Sequence, residues 1–202
     1  MKFEINSYED YKWIGKKIMA SSILMMVFTL NPVLLSAQYK LDQQVSFIYI
    51  NGTSTLHDWT VVVEQMKGTL NAEIETAQIK KFDSVQIIIP VISLKSGKMG
   101  MDENMYKALK SNQFPEISYK LKNYTIDESD MDVAGELTIA GVTKTIQSKI
   151  TWQNVGKHIK FNGELTINMS DFNVKPPEFL LGAFKTGDKI SLRFYFMFCD
   201  KL

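Results

Sequence analysis

From Tyr39 to Phe198 apolar and polar residues alternate with a period of two, the mark of strands that keep one face dry and the other wet. The pattern is sharpest around Ala140-Gly141. Before it Met131, Val133, Leu137 and Ile139 alternate with Asp132, Glu136 and Thr138. After it the dry set is Val142, Ile146, Ile150 and Trp152, against Thr143, Thr145, Gln147, Lys149 and Thr151. A two-residue turn at Ala140-Gly141 accounts for the switch of parity, because it sets Ile139 opposite Val142 and uses Gly141 for the positive φ of a tight hairpin. The same register puts Asp132 across from Lys149. Lys144 falls on the dry side, so it is expected at a rim or beside a bulge.

Further alternating runs flank this hairpin. Leu41, Val45, Phe47 and Tyr49 read as one face of a first strand. Trp59, Val61 and Val63 then give an odd face and Gly68, Leu70, Ala72 and Ile74 an even one, a slip that a bulge near Lys67 in one long bent strand explains. Val85, Ile87, Ile89 and Val91 follow, then Ile117, Tyr119 and Leu121. The last two runs are Ile159, Phe161, Leu165 and Ile167, and Ile190, Leu192, Phe194, Phe196 and Phe198. The period breaks once, at Asp102–Lys110, where an N-cap-type aspartate, an acidic first turn and Met105 four residues before Leu109 predict a short helix. Phe114-Pro115 ends it. A long loop over Asp171–Gly187 carries Pro176-Pro177 and the apolar group Phe179, Leu180, Leu181 and Phe184.

Counted with the bent segment once, the runs give eight strands, so the fold class is all-β. Eight single-faced antiparallel strands can stack as two sheets or close on themselves. The inward set Phe47, Tyr49, Trp59, Tyr119, Trp152, Phe161, Phe194 and Phe196 would overfill a thin sandwich, and closure removes long exposed edges. The expectation is an elongated, up-and-down antiparallel barrel with one short helix and a long apolar loop at its ends.

The amino terminus changes what counts as the folded chain. Lys12, Lys16 and Lys17 precede an apolar run from Ile18 to Leu35, and Leu35-Ser36-Ala37 offers a small-residue cleavage site, so residues 1–37 read as a secretory signal peptide and 38–202 as one domain. An uncleaved anchor and a later start codon are the alternatives. Cleavage would place the domain in the periplasm or outside the cell. Without that segment 19 basic and 19 acidic groups remain, which gives no electrostatic footprint for nucleic acid. The lone cysteine, Cys199, can form no disulfide within the chain.

Catalytic chemistry has little to draw on. His57-Asp58 resembles a general base with its orienting acid, the basis of a hydrolase-type reading, but neighbouring side chains on an extended segment point to opposite faces. A loop histidine that fixes local backbone is the simpler role. His158 and Cys199 complete a set too scattered for a metal site. No cofactor and no metal are expected.

The barrel interior remains. The lining is expected from Phe47, Tyr49, Trp59, Val61, Ile87, Tyr119, Leu137, Trp152, Phe161, Leu165, Phe194 and Phe196, with Phe179, Leu180, Leu181 and Phe184 as a lid. Such a lining suits an alkyl or isoprenoid chain, a lipid or quinone held as ligand. Eight strands are just wide enough for one slender ligand or for a core of side chains alone, so the rival is an envelope interaction protein with a filled barrel. A homodimer is a further partner expectation.

Leu137-Thr-Ile-Ala-Gly-Val-Thr-Lys144 resembles the "L-T-I-x-G-V-T-K" signature of the YceI-like family of bacterial secreted proteins. Val45-Ser-Phe47, Gly68-Thr-Leu70, Phe114-Pro115-Glu-Ile117 and Asp171-Phe-Asn-Val174 follow that family's pattern in order. The resemblance implies a lipocalin-like barrel and polyisoprenoid binding within it. It carries over no individual ligand contact. Thr55-Leu-His57-Asp-Trp59 departs from the family pattern.

Overall fold

The structure, a computed structural model, describes residues 35–75, 78–179 and 184–200. Twelve strands build it: β1 Leu35–Leu41, β2 Phe47–Ser54, β3 Trp59–Val63, β4 Lys67–Glu75, β5 Gln78–Pro90, β6 Leu94–Lys95, β7 Glu116–Asp127, β8 Asp130–Ile139, β9 Val142–Val155, β10 His158–Asn168, β11 Glu178–Phe179 and β12 Phe184–Asp200. Among the described residues one α-helix, α1, spans Met99–Ala108.

Several short strands are halves of longer ones. β12 pairs with β1 near its carboxyl end (Tyr39↔Asp200) and with β2 further back (Phe47↔Tyr195). β1 and β2 are therefore one strand broken at residues 42–46, where the Asp42 N–H donates to the Met197 carbonyl at 2.8 Å. β4 lies beside β1 and β3 beside β2, so these two also share one line. β5 and β6 repeat the device, with the Ser93 hydroxyl within hydrogen-bond distance of the carbonyls of Gln65 (2.8 Å) and Pro90 (2.7 Å), which ties the two breaks together. Taken as lines, the strands close an eight-stranded antiparallel barrel. The slip placed near Lys67 is a three-residue break, Glu64–Met66, which turns Met66 into the core at 2% exposure.

The central hairpin keeps the expected register, with Ile139 opposite Val142 and Asp132 opposite Lys149. Ala140 and Gly141 both have positive φ (48° and 79°), and the Phe114 ring covers Gly141 closely. Lys144 is exposed without any bulge in this ladder. It lies where β9 has left β10, since their pairing runs only from His158↔Val155 to Gly163↔Ile150.

α1 corrects the expected helix start. It begins at Met99, and Asp102 sits buried in the first turn instead of capping it. Its carboxylate accepts from the Ser96 N–H (2.8 Å) and Ser96 Oγ (2.5 Å), which pins the helix to the preceding loop. The loop after β10 is also more ordered than expected: a short 3-10 turn, Met169–Phe172, buries Phe172 and Val174.

Candidate functional site

One end of the barrel is solid. Phe82, 3% exposed, meets Trp152, Phe161 and Tyr124 edge-on at centroid distances of 5.4, 5.6 and 5.7 Å, and Phe161 meets Phe198 at 5.9 Å. Edge-to-face pairs of this kind add to plain burial. The polar ends of these rings are satisfied: Tyr124 accepts the Phe82 N–H at 2.9 Å, and Trp152 Nε1 donates to the Glu128 carbonyl at 3.1 Å.

Above this plug lies a cavity of about 590 Å³, bounded by inward residues of the strands and, at the other end, by Met101, Met105 and Ala108 of α1 and by Leu109, which caps it. The helix therefore covers the barrel, and Met105 and Leu109 share the face that the sequence spacing predicts. The volume falls within the range of small-molecule sites. Part of the space exists because inward positions are glycine. At Gly135 the Tyr119 ring lies directly against the backbone, and at Gly163 an added Cβ would come within 2.6 Å of Ile150 and 2.8 Å of Phe194. Tyr119 itself lines the cavity, and burial pushes its phenol up to about 12.

The structure brings together Trp59, Val61, Ile87, Tyr119, Leu137, Phe161, Leu165, Phe194 and Phe196 on the cavity wall. Phe47 and Tyr49 stand elsewhere. They face outward, where Phe47 stacks on Tyr195 (5.7 Å) and contacts Tyr49 (5.2 Å), while the Arg193 guanidinium lies 5.7 Å from the Tyr49 ring centre. Ile48 and Ile50 take the inward places. The run Phe47-Ile48-Tyr49-Ile50 is apolar on both faces, so alternation alone cannot orient it. The pairing Arg193↔Tyr49 does, because a charged residue on β12 marks the wet face. Trp152 belongs to the plug and not to the cavity. Of the expected lid, Leu180 and Leu181 lie outside the described residues, and Phe179 and Phe184 pair across the β11–β12 hairpin.

His57 and Asp58 are both exposed and make no hydrogen bond with each other among the described residues. The histidine backbone is held by Ser54, whose Oγ donates to the His57 carbonyl at 2.8 Å, and the ring nitrogen Nε2 faces Lys98 Nζ at 3.4 Å. The catalytic pairing is not formed.

The sequence model of the YceI-like domain matches residues 39–198. The chain belongs to the YceI-like family. Protein YceI of Escherichia coli is 26% identical over 154 residues, covering 69% of this chain and 78% of its own length, and Protein YceI of Salmonella arizonae is 24% identical over 173 residues, covering 79% and 87%. Among solved structures, Burkholderia cenocepacia BcnA superposes with a TM-score of 0.66 at 19% identity over 78% of this chain and 98% of its own. A polyisoprenoid binding domain from Saccharophagus degradans superposes with a TM-score of 0.63 at 17% identity over 81% of this chain and 98% of its own. At such identities the likeness to the two structures is one of fold.

Proposed function

We propose that this YceI-like protein is a non-enzymatic carrier that holds one long-chain amphiphile, of isoprenoid or quinone type, inside its barrel. The observation that carries the reading is the apolar cavity of about 590 Å³ between the aromatic plug and α1. Each buried CH₂ contributes about 0.8 kcal/mol, so a chain of roughly ten carbons offsets the cost of ordering it and leaves useful affinity. The Saccharophagus degradans domain named for polyisoprenoid binding supports the same ligand class. The rival filled barrel describes only the closed end.

The amino-terminal pattern supports work in the periplasm after cleavage at Ala37, which leaves Gln38 as first residue within β1. Intact mass of the protein recovered from the envelope tests this: a start at Gln38 agrees, and retention of the apolar run contradicts it.

The binding claim is tested by titrating delipidated protein with a long-chain prenol while following tryptophan fluorescence. Ile50→Trp, which fills the cavity, is expected to weaken binding at least about tenfold, roughly 1.4 kcal/mol. Tyr49→Ala, on the outer wall, should leave affinity as it is. Equal losses in both variants would contradict an internal site.

A further inference from the structure

The three most exposed large apolar side chains among the described residues are Met99 (80%), Ile92 (66%) and Leu56 (62%). All three belong to the end of the barrel that α1 covers. Met99 opens the helix, between Lys98 and Gly100, which border the cavity. Leu56 stands in the loop from β2 to β3, beside His57, whose Nε2 lies 3.4 Å from Lys98 Nζ. Ile92 flanks the last turn of α1, its carbonyl 3.0 Å from the Tyr106 hydroxyl. The other strongly exposed apolar residues are less open and stand elsewhere: Ile126 and Val155 beside the turns at the plug end, and Val45 in the break between β1 and β2.

These positions are built to project. Ser54 Oγ accepts from the N–H groups of Leu56 (3.3 Å) and His57 (3.2 Å), which fixes the loop with Leu56 in solvent. A Cβ added at Gly97 or Gly100 would meet nothing within 4 Å, so the tip around Met99 stands clear of the rest of the chain. Single exposed apolar residues are ordinary, but three gathered at the rim of one apolar cavity form a pattern that marks an interaction surface. Charge agrees with this placement. Residues 92–110 carry Lys95, Lys98, Lys107 and Lys110 against Asp102 and Glu103, and Asp102 is buried against Ser96. Asp58 of the adjoining loop offsets only one of these lysines.

We propose that this end of the barrel docks on a lipid bilayer that carries anionic lipid, with Met99, Ile92 and Leu56 entering the interface and the lysines of the α1 segment resting on its charge. Interfacial binding of this kind grows with the apolar area immersed and with attraction to anionic head groups. The inference rests on the carrier reading, since a lipid held in a barrel has to be collected from a bilayer. Docking at this end sets α1, the cover of the cavity, against the surface that supplies the cargo.

Flotation of the delipidated protein with vesicles of phosphatidylcholine and phosphatidylglycerol tests the proposal. Wild type is expected to float with them, less with phosphatidylcholine alone, and less again at high salt. Ile92 and Met99 line neither the core nor the cavity. The double variant Ile92→Ser, Met99→Ser should therefore bind farnesol in solution as wild type does, while its partition onto the vesicles falls at least about tenfold. Ile126→Ser, Val155→Ser, which alters the plug end, should float as wild type does. A wild type that stays soluble with both kinds of vesicle would overturn docking and leave the carrier reading standing. So would an Ile92→Ser, Met99→Ser variant that floats as well as wild type, or equal losses in the two double variants. Failure of wild type to bind farnesol in solution would overturn the carrier reading and, with it, this use of the surface.

Discussion

At the residue scale, the cavity depends on positions where a side chain is missing or neutral. Gly135 lies under the Tyr119 ring, so Gly135→Val must displace that ring toward the cavity. Overpacking of this kind costs about 1–3 kcal/mol, and urea denaturation should show the midpoint falling with an unchanged slope. Tyr119 gives a pH signature. Its folded-state value, raised to about 12, exceeds the ordinary value of 10.0, so the unfolded chain loses this proton first. Stability contributed by the neutral phenol is whole below pH 10 and is lost as pH rises toward 12. Tyr119→Phe should lose less stability than wild type over that window in denaturation curves taken on either side of pH 10. The sequence made Tyr119 legible as inward through its alternation with Ser118 and Lys120. It did not show the outward turn of Phe47 and Tyr49, because a segment apolar on both faces has no preferred parity.

At the element scale, what was hidden lies where a strand slips. β7 has a bulge between Leu121 and Asn123, after which Tyr124 takes the inward parity. β5 has its own irregularity opposite Asn71 and Ala72, so its first half escapes the pattern set by Val85, Ile87 and Ile89. Phe82 sits in that half between Lys81 and Asp83, and it is the centre of the plug. Phe82→Ala should cost about 3–5 kcal/mol. Thermal unfolding measures that loss, and a change below 1 kcal/mol would show that the plug is not packed as described. The helix is the opposite case. Its existence and its Met105–Leu109 face follow from spacing, but its start does not, because Asp102 serves the Ser96 loop instead of the helix end. Asp102→Ala removes the acceptor for both Ser96 donors, a loss of about 2 kcal/mol for buried charged acceptors. If α1 is the cover, stopped-flow release of a bound prenol should speed up more than binding does; an unaltered release rate would assign the gate elsewhere.

At the scale of the whole molecule, the fold was largely written in the alternation: eight lines of strand, one helix, and closure forced by the bulk of the inward set and the length of the edges. The site was legible as a class of surface, apolar and internal. Its depth was not, because depth depends on which rings cluster at one end, and that is set by bulges and by long-range pairings such as β1 and β2 sharing β12. The plug closes one end of the barrel and α1 covers the other, which leaves the apolar cavity between them.

Solvent extraction of the protein recovered from cells with isoprenoid lipids, paired with native mass spectrometry, tests this most directly. The account predicts one long-chain amphiphile per folded chain, released on denaturation and absent from Ile50→Trp. A native mass equal to that of the bare polypeptide, unchanged after incubation with prenols and quinones, would contradict it.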